Sequence, residues 1–388
     1  MILNRNTLLI NLLFLTSVLI FLHIGPLSIS FPVGVIALLN FSGKLRLRLF
    51  QYPFVLLTLL FIVGLISSAL SELPFKDNIY FMVQFLYWLL LAIMVGELYP
   101  YINLKLLSRT LAYGSIILGA VYFLLGGATQ NSVAFCLVVI APLGLYGIEK
   151  RSGQIIYALV LLFYMLFNES RTGLAILVIE MLFVFSRLFA IHKLTNILLS
   201  IIGIVVLIMT TPLHISLGEA IEPYNPDMAL LISDPDAVFY SDKSWIQRKI
   251  QVQKGMQIFE EHPLIGIGPS NFSKLEIDID VSTMQGVDAD ALNAALRRAD
   301  FRSSHNSYVS LLSEFGIIGT LFFLLFIFKF LIIAFRNSKR LDDFEFLLLV
   351  CCIGMCLYFY NITALYGTSA WLFYGLLCGY INKYRKKI

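Results

Sequence analysis

The sequence predicts an all-α, polytopic membrane protein with about twelve transmembrane helices and one large external helical loop. Three observations carry that prediction. Apolar residues make up 59% of the 388 and charged residues only 13%, with a mean hydropathy of +0.84. A water-facing globule could not cover so much apolar surface with polar groups. Long apolar runs recur from Leu8 to Tyr380, each able as a helix to cross roughly 30 Å of hydrocarbon. The segments between the runs alternate between basic and nearly neutral, as loops sorted to two sides of a bilayer do.

In chain order the spans fall near 7–25, 27–43, 53–71, 79–100, 110–127, 131–148, 154–168, 173–191, 196–211, 306–335, 344–365 and 368–381. The first follows Arg5 and ends at His23-Ile24-Gly25-Pro26 with no small-residue cleavage site, so it reads as a retained helix and not a secretory leader. Basic segments then alternate with neutral ones. Lys44, Arg46 and Arg48 precede a segment holding only Lys76, and Lys105 and Arg109 precede the neutral "GGATQN". Lys150 and Arg151 precede "NESRTG"; Arg187 and Lys193 precede the long loop 212–304. Arg336, Lys339 and Arg340 precede "ITALYGTS", and Lys383, Arg385, Lys386 and Lys387 close the chain.

Short basic loops stay in the cytoplasm, so both termini are expected there and the loop 212–304 on the outer face. No internal repeat, low-complexity tract or glycine-serine linker divides the chain. Residues 1–388 therefore read as a single membrane domain, with 212–304 as its external cap. The formal net charge of +4 is spread over the loops, and no nucleic-acid partner is expected. All five cysteines fall in apolar runs, where buried free thiols are expected in place of a zinc site.

Three residues stand out, all on the expected outer face. Arg171 in "FNESRTGLAILVIE" opposes the sidedness of the other charges and opens a helix, where the positive dipole end disfavours a cation. With the hydroxyls of Ser170 and Thr172 and the free N–H groups of the first turn, it suits an anion. The plainer alternative is an arginine paired with Glu169 at the membrane surface.

In "SDKSWIQRKIQVQKGMQIFEEHP" a helix is expected, capped by Ser241 or Asp242 and ended by Pro263. Trp245, Val252, Met256 and Phe259 form an apolar stripe with Arg248 on it and Lys249 and Lys254 turned away. An arginine on an inward face implies an anionic partner, whether an ion pair, a lipid headgroup or a substrate. Lastly, in "SSHNSYVSLLSEFGIIG" a helix starting near His305, capped by Ser303 or Ser304, would put the imidazole at a positive helix end. A neutral imidazole can act as a general base, although a lone interfacial histidine often merely completes a cap. Asn306, Ser307 and Tyr308 offer amide and hydroxyl groups for a polar substrate, and Glu314 would lie about 13 Å further along the helix. Two guanidinium groups and an imidazole suit the departure of a phosphate-bearing group as a hydroxyl attacks.

The stretches "ESRTGLAILVIE", "QRKIQVQKGMQIFEEHPLIGIGPSNF" and "SSHNSYVSLLSEFGIIG", in that order around one long loop, resemble the O-antigen ligase and O-antigen polymerase superfamily of bacterial surface-polysaccharide assembly. The resemblance covers roughly residues 160 to 335; before about residue 120 it is only a matter of hydrophobic spans. It implies a GT-C-like, inverting, metal-independent glycosyltransferase of the inner membrane. Its donor would be an undecaprenyl-pyrophosphate-linked glycan, with no cofactor and no metal. Arg171 and Arg248 would hold the pyrophosphate, and His305 would activate the acceptor hydroxyl. Asn131 matches a helix-start asparagine of the family, and Ser170, Asn306, Tyr308 and Glu314 are candidates for substrate contact or support. The glycines of "HPLIGIGPSNF" and "EFGIIG" are expected to serve tight turns and close packing.

Polymerase is preferred to ligase because the loop lacks a basic patch for a phosphorylated lipid A core, and a polymerase implies a chain-length regulator as partner. Two rivals come from other classes. Aspartate pairs at 234–236, 278–280 and 288–290 would suit a metal-assisted transferase. A twelve-span transporter should show similar halves and polar groups near the midplane, where only Gln84 and Glu180 intrude.

Overall fold

The computed structural model describes residues 5–24, 27–41, 49–71, 75–125, 130–168, 170–188, 219–223, 233, 243–279, 281, 289–298 and 303–385. Their regular structure is helical apart from a two-residue antiparallel pairing of His23–Ile24 with Leu27–Ser28. The helices are α1 (Arg5–Val18), α2 (Ser30–Phe41), α3 (Phe54–Leu70), α4 (Phe75–Leu98), α5 (Leu104–Leu125) and α6 (Gln130–Phe135). They continue with α7 (Arg151–Phe167), α8 (Arg171–Leu188), α9 (Lys243–Glu261), α10 (Ala289–Arg298), α11 (Ser307–Arg336), α12 (Asp343–Tyr358) and α13 (Thr368–Arg385).

Among the described residues, three helices are long and apolar enough to cross a membrane: Asn78–Tyr101, Leu104–Leu124 and Ser307–Arg336. Five shorter apolar helices accompany them, Thr7–Val18, Ser30–Phe41, Phe54–Leu70, Ser132–Gly147 and Arg151–Phe167. The expected span at 196–211 lies outside the described residues. The expected span at 131–148 is broken: a π-helical turn (Cys136–Ile140) runs into a 3₁₀ stretch (Ala141–Gly147). Pro142 accounts for the break, since it has no N–H to donate and its ring excludes the preceding turn's carbonyl.

Packing brings α4 against α13, α3 against α11, α8 against α12 and α1 against α5. Close approach of α4 and α13 depends on small residues: a Cβ on Gly375 would stand 2.8 Å from the Ala92 carbonyl oxygen, the use of small residues that lets helices associate in lipid. Aromatic side chains fill the centre, with Phe85 edge-on to Trp371 at 5.1 Å and to Phe315 at 5.9 Å. All five cysteines are free, and all but Cys356 are fully buried.

The polar residues sort to the ends of the bundle. At one end Lys105 and Arg109 both meet Glu149 at 2.8 Å, and Arg187 reaches Asp343 at 3.4 Å and the Leu341 carbonyl. Asp342 and Glu345 form a capping box at the start of α12, each accepting the other's backbone N–H, while Lys383 binds the Glu345 carboxylate at 2.6 Å. Among the described residues, Lys105, Arg109, Arg187 and Lys383, all expected near one face, therefore lie in ion pairs with Glu149 or with the start of α12. The opposite end carries the turns before Ser30, Arg171 and Ser307 and the segment between α12 and α13.

Helix α11 breaks at Gly316, whose backbone is left-handed (φ 61, ψ −170). The segment after α9 fills the break. Ile267 N–H donates to the Ser313 carbonyl at 3.0 Å and Gly268 N–H to the Glu314 carbonyl at 2.9 Å. In return Ile317 N–H donates to Pro263 at 2.8 Å and Ile318 N–H to Leu264 at 3.1 Å. A chain break in an apolar helix leaves backbone groups that must find partners, and here "HPLIGIG" supplies four of them to "EFGIIG". The glycines serve this approach: Gly266, also left-handed at φ 68, lies so near that a Cβ would stand 2.4 Å from the Glu314 carbonyl carbon.

Candidate functional site

The site is built on the start of α11. Its N-cap is Asn306, whose side-chain oxygen accepts from Tyr308 N–H at 2.9 Å and Val309 N–H at 3.1 Å. The sequence reading put the cap at Ser303 or Ser304; the structure moves it to Asn306, and His305 becomes the residue before the cap. Ser304 is occupied elsewhere. It donates to the Asn306 carbonyl at 2.6 Å and lies 2.8 Å from the Ser310 hydroxyl and 3.4 Å from the Thr363 hydroxyl. His305 is half-buried with a left-handed backbone, φ 50, a conformation histidine tolerates better than most side chains and one that concentrates at functional sites. Removing the cap by Asn306→Ala should cost about 1 kcal/mol of stability, read as a lower melting temperature of the purified protein.

This turn is bolted to the end of α12. Ser307 N–H donates to the Phe359 carbonyl at 2.8 Å, and the Ser307 hydroxyl donates to the Ile362 carbonyl at 2.6 Å. The Tyr308 hydroxyl donates to the Cys356 carbonyl at 2.7 Å. Asn306, Ser307 and Tyr308 thus fix the direction in which the turn leaves the bundle. Glu314, one face further along, is buried; its carboxylate accepts from the Phe272 N–H at 3.3 Å and from the Tyr366 hydroxyl. It ties the inserted segment to the stretch between α12 and α13.

Tyr358, the last residue of α12, joins the other parts. Its hydroxyl lies 3.3 Å from the Ser170 hydroxyl. Ser170 also accepts from Gly173 N–H at 3.3 Å, so it caps α8, whose first residue is Arg171. The side chains of Arg171 and Asn131 lie outside the described part of the structure; their backbones open α8 and enter α6. Arg248 stands on α9, which packs against α11. Sequence reasoning passed over Tyr358, because a tyrosine at the end of an apolar helix is an ordinary interfacial anchor.

On α9 the stripe differs from the expected one. Ile246, Ile250, Gln251, Lys254 and Ile258 are buried, whereas Trp245, Val252, Met256 and Phe259 are only partly so and Arg248 is exposed. The isoleucines decide the face because two small neighbours await them, Ala291 and Ala295 of α10, and Phe272 and Ile267 of the inserted segment cover Ile258. Lys254, expected to turn outward, instead lies over the Phe272 ring at 4.9 Å. Burial holds its ammonium below the usual lysine range, and Glu276 opposes that shift. Arg248 is consequently a cation on the open side of α9, and not one sealed in an apolar seam.

The starts of α8 and α11, the end of α12 and the middle of α9 therefore meet at one end of the bundle. Asp278 and Asp290 of the loop are described; Asp234, Asp236, Asp280 and Asp288 lie outside the described residues, and no group of three metal-ligating side chains occurs among those described.

Helices apolar and long enough to cross a membrane, with a polar junction at one end of the bundle, define a membrane protein. Residues 156–324 match the O-antigen ligase family model, so this part of the chain is similar to that family. That family implies glycosyltransferase-like ligase or polymerase chemistry on lipid-linked glycans in general. No curated protein matches the chain.

Proposed function

We propose that this protein is an O-antigen polymerase, transferring glycan from undecaprenyl pyrophosphate to a hydroxyl of a second lipid-linked repeat at the outer leaflet of the bacterial inner membrane. The observation that supports the reading is the junction at the end of α12, where Tyr358 meets the Ser170 cap of α8 and Phe359 receives the turn bearing His305, while α9, which carries Arg248, packs against α11. In this reading Arg171 and Arg248 bind the departing diphosphate, whose charge grows as the glycosidic bond breaks. His305 takes the proton of the attacking hydroxyl, which approaches from the face opposite the leaving group, and configuration inverts. The loop 212–304 caps the site from outside, both termini are cytoplasmic, and a chain-length regulator acts as partner.

Glycan transfer by the purified chain from a lipid-linked repeat tests the reaction. Arg248→Ala should reduce transfer by about 10²-fold or more, since the growing leaving-group charge loses its donor. Arg248→Lys should recover only part, because a point charge cannot reproduce a two-pronged contact. Full activity in the lysine variant would rule out that contact. In a deletion strain, single repeats on the lipid core indicate polymerase, and long chains left on the carrier indicate ligase.

A further inference from the structure

Beside the His305 turn lies a cavity of about 500 Å³, within the roughly 300–1,000 Å³ typical of small-molecule sites. It is bounded by the ends of α1 and α6, by α2 and α4, and by the stretch between α12 and α13. Among the described residues no acidic or basic side chain lines it. Its walls carry hydroxyls and one amide. Ser28, Ser30 and Thr368 form a hydroxyl chain with steps of 3.0 and 3.4 Å, and Gln84 adds its carboxamide. Each such group can both donate and accept.

One wall is aromatic: the Trp88 and Tyr366 rings stack at 6.4 Å with 19° between their planes, and Tyr366 is held in place by its bond to Glu314. Thr363, also in the wall, lies 3.4 Å from Ser304 and 3.3 Å from Ser310, so the cavity shares a boundary with the turn that presents His305.

We infer that this cavity is a subsite for uncharged sugar rings, holding the hydroxyl-bearing end of the acceptor glycan next to His305. The assignment rests on the glycan-transfer reading above. An anion would find no counter-charge here, and a purely apolar ligand would leave the remaining donor and acceptor capacity of the hydroxyls and of Gln84 unused. A sugar meets both demands, with equatorial hydroxyls for Ser30, Thr368 and Gln84 and a C–H face for the Trp88 and Tyr366 rings. Most of these residues lie outside the matched region 156–324, which places acceptor recognition largely in α1, α2, α4 and the final loop.

Gly367 supplies the test. It lines the cavity, and a Cβ there would meet nothing within 4 Å, so Gly367→Phe should fill the space without disturbing the backbone. In lipid nanodiscs, transfer by the full chain is measured against acceptor and donor concentration separately. Binding of the delipidated neutral repeat oligosaccharide is measured by calorimetry. Gly367→Phe should raise the acceptor KM at least tenfold, leave the donor KM within twofold, and weaken oligosaccharide binding by the same factor, whereas Arg248→Ala should leave that binding unchanged. Gln84→Ala, a milder change, should raise the acceptor KM several-fold and serves if the phenylalanine variant misfolds. Transfer by the wild type with an unaltered acceptor KM in both variants overturns the subsite while sparing the function. No transfer by the wild type overturns the function, and the subsite then stands or falls on whether the oligosaccharide binds and Gly367→Phe abolishes it.

Discussion

Replacing His305 by alanine should lower glycan transfer by about 10²- to 10⁴-fold, the range that general base catalysis supplies, while donor binding stays close to wild type. The geometry allows this chemical effect to be separated from a structural one. His305 stands one residue before the helix cap, and the cap bonds belong to Asn306, so truncating the imidazole leaves α11 capped. Its backbone is left-handed, at a cost of about 1–2 kcal/mol for a residue bearing a Cβ. His305→Gly relieves that cost and should give a protein at least as stable as the wild type, yet as inactive as the alanine variant. If the imidazole takes the proton, the acid limb of the pH–rate profile should also disappear from whatever activity remains. Transfer within tenfold of wild type in both variants would remove His305 from the chemistry.

How much of this was legible in the sequence depends on how local each signal was. The apolar runs announced helices because each carries its own message in consecutive residues, and α3, α4, α5, α7 and α11 lie where their runs lie. The break at 136–147 was also written locally, in Pro142, though a run of apolar residues masks it. Asn306 was passed over as a cap in favour of the serines before it because Ser, Thr and Asn serve equally well at that position. What decided between them was tertiary: Ser304 bonds to Ser310 and Thr363, and the second of these comes from a segment 59 residues away.

The face of α9 was misread for the same reason. Its sequence offers two stripes, one with Trp245 and Phe259 and one with isoleucines, and the choice was made by Ala291, Ala295 and Phe272. Arg248 is consequently exposed on the open side of α9 and not sealed in a seam. Tyr358 itself carried no signal in the sequence, since its importance lies only in its contact with the cap of α8. The matched region 156–324 contains the arginines and the histidine, and it omits Tyr358 and Tyr366 as well.

The largest structural effect should come from Gly266 and Gly316. Gly316→Ala puts a Cβ 2.3 Å from the Leu264 carbonyl carbon, and Gly266→Ala puts one 2.4 Å from that of Glu314. In both cases the obstacle is backbone, which cannot step aside as a flexible side chain can. Both positions are left-handed, which costs about 1–2 kcal/mol for alanine, and overpacking adds about 1–3 kcal/mol. Relief requires the inserted segment to withdraw from α11, and withdrawal breaks the four bonds between 263–268 and 313–318. Each broken bond leaves backbone groups that an apolar setting does not satisfy.

Either variant should therefore lose about 3 kcal/mol or more, seen as a marked fall in melting temperature in nanodiscs, with Gly367→Ala as the neutral control. The double variant should lose clearly less than the sum, because the first substitution has already displaced the segment that the second would strike. Activity should fall with stability, since withdrawal also takes Phe272 from Glu314 and frees Tyr366. A Gly316→Ala protein that melts as the wild type does would mean that the segment is not seated in the helix break.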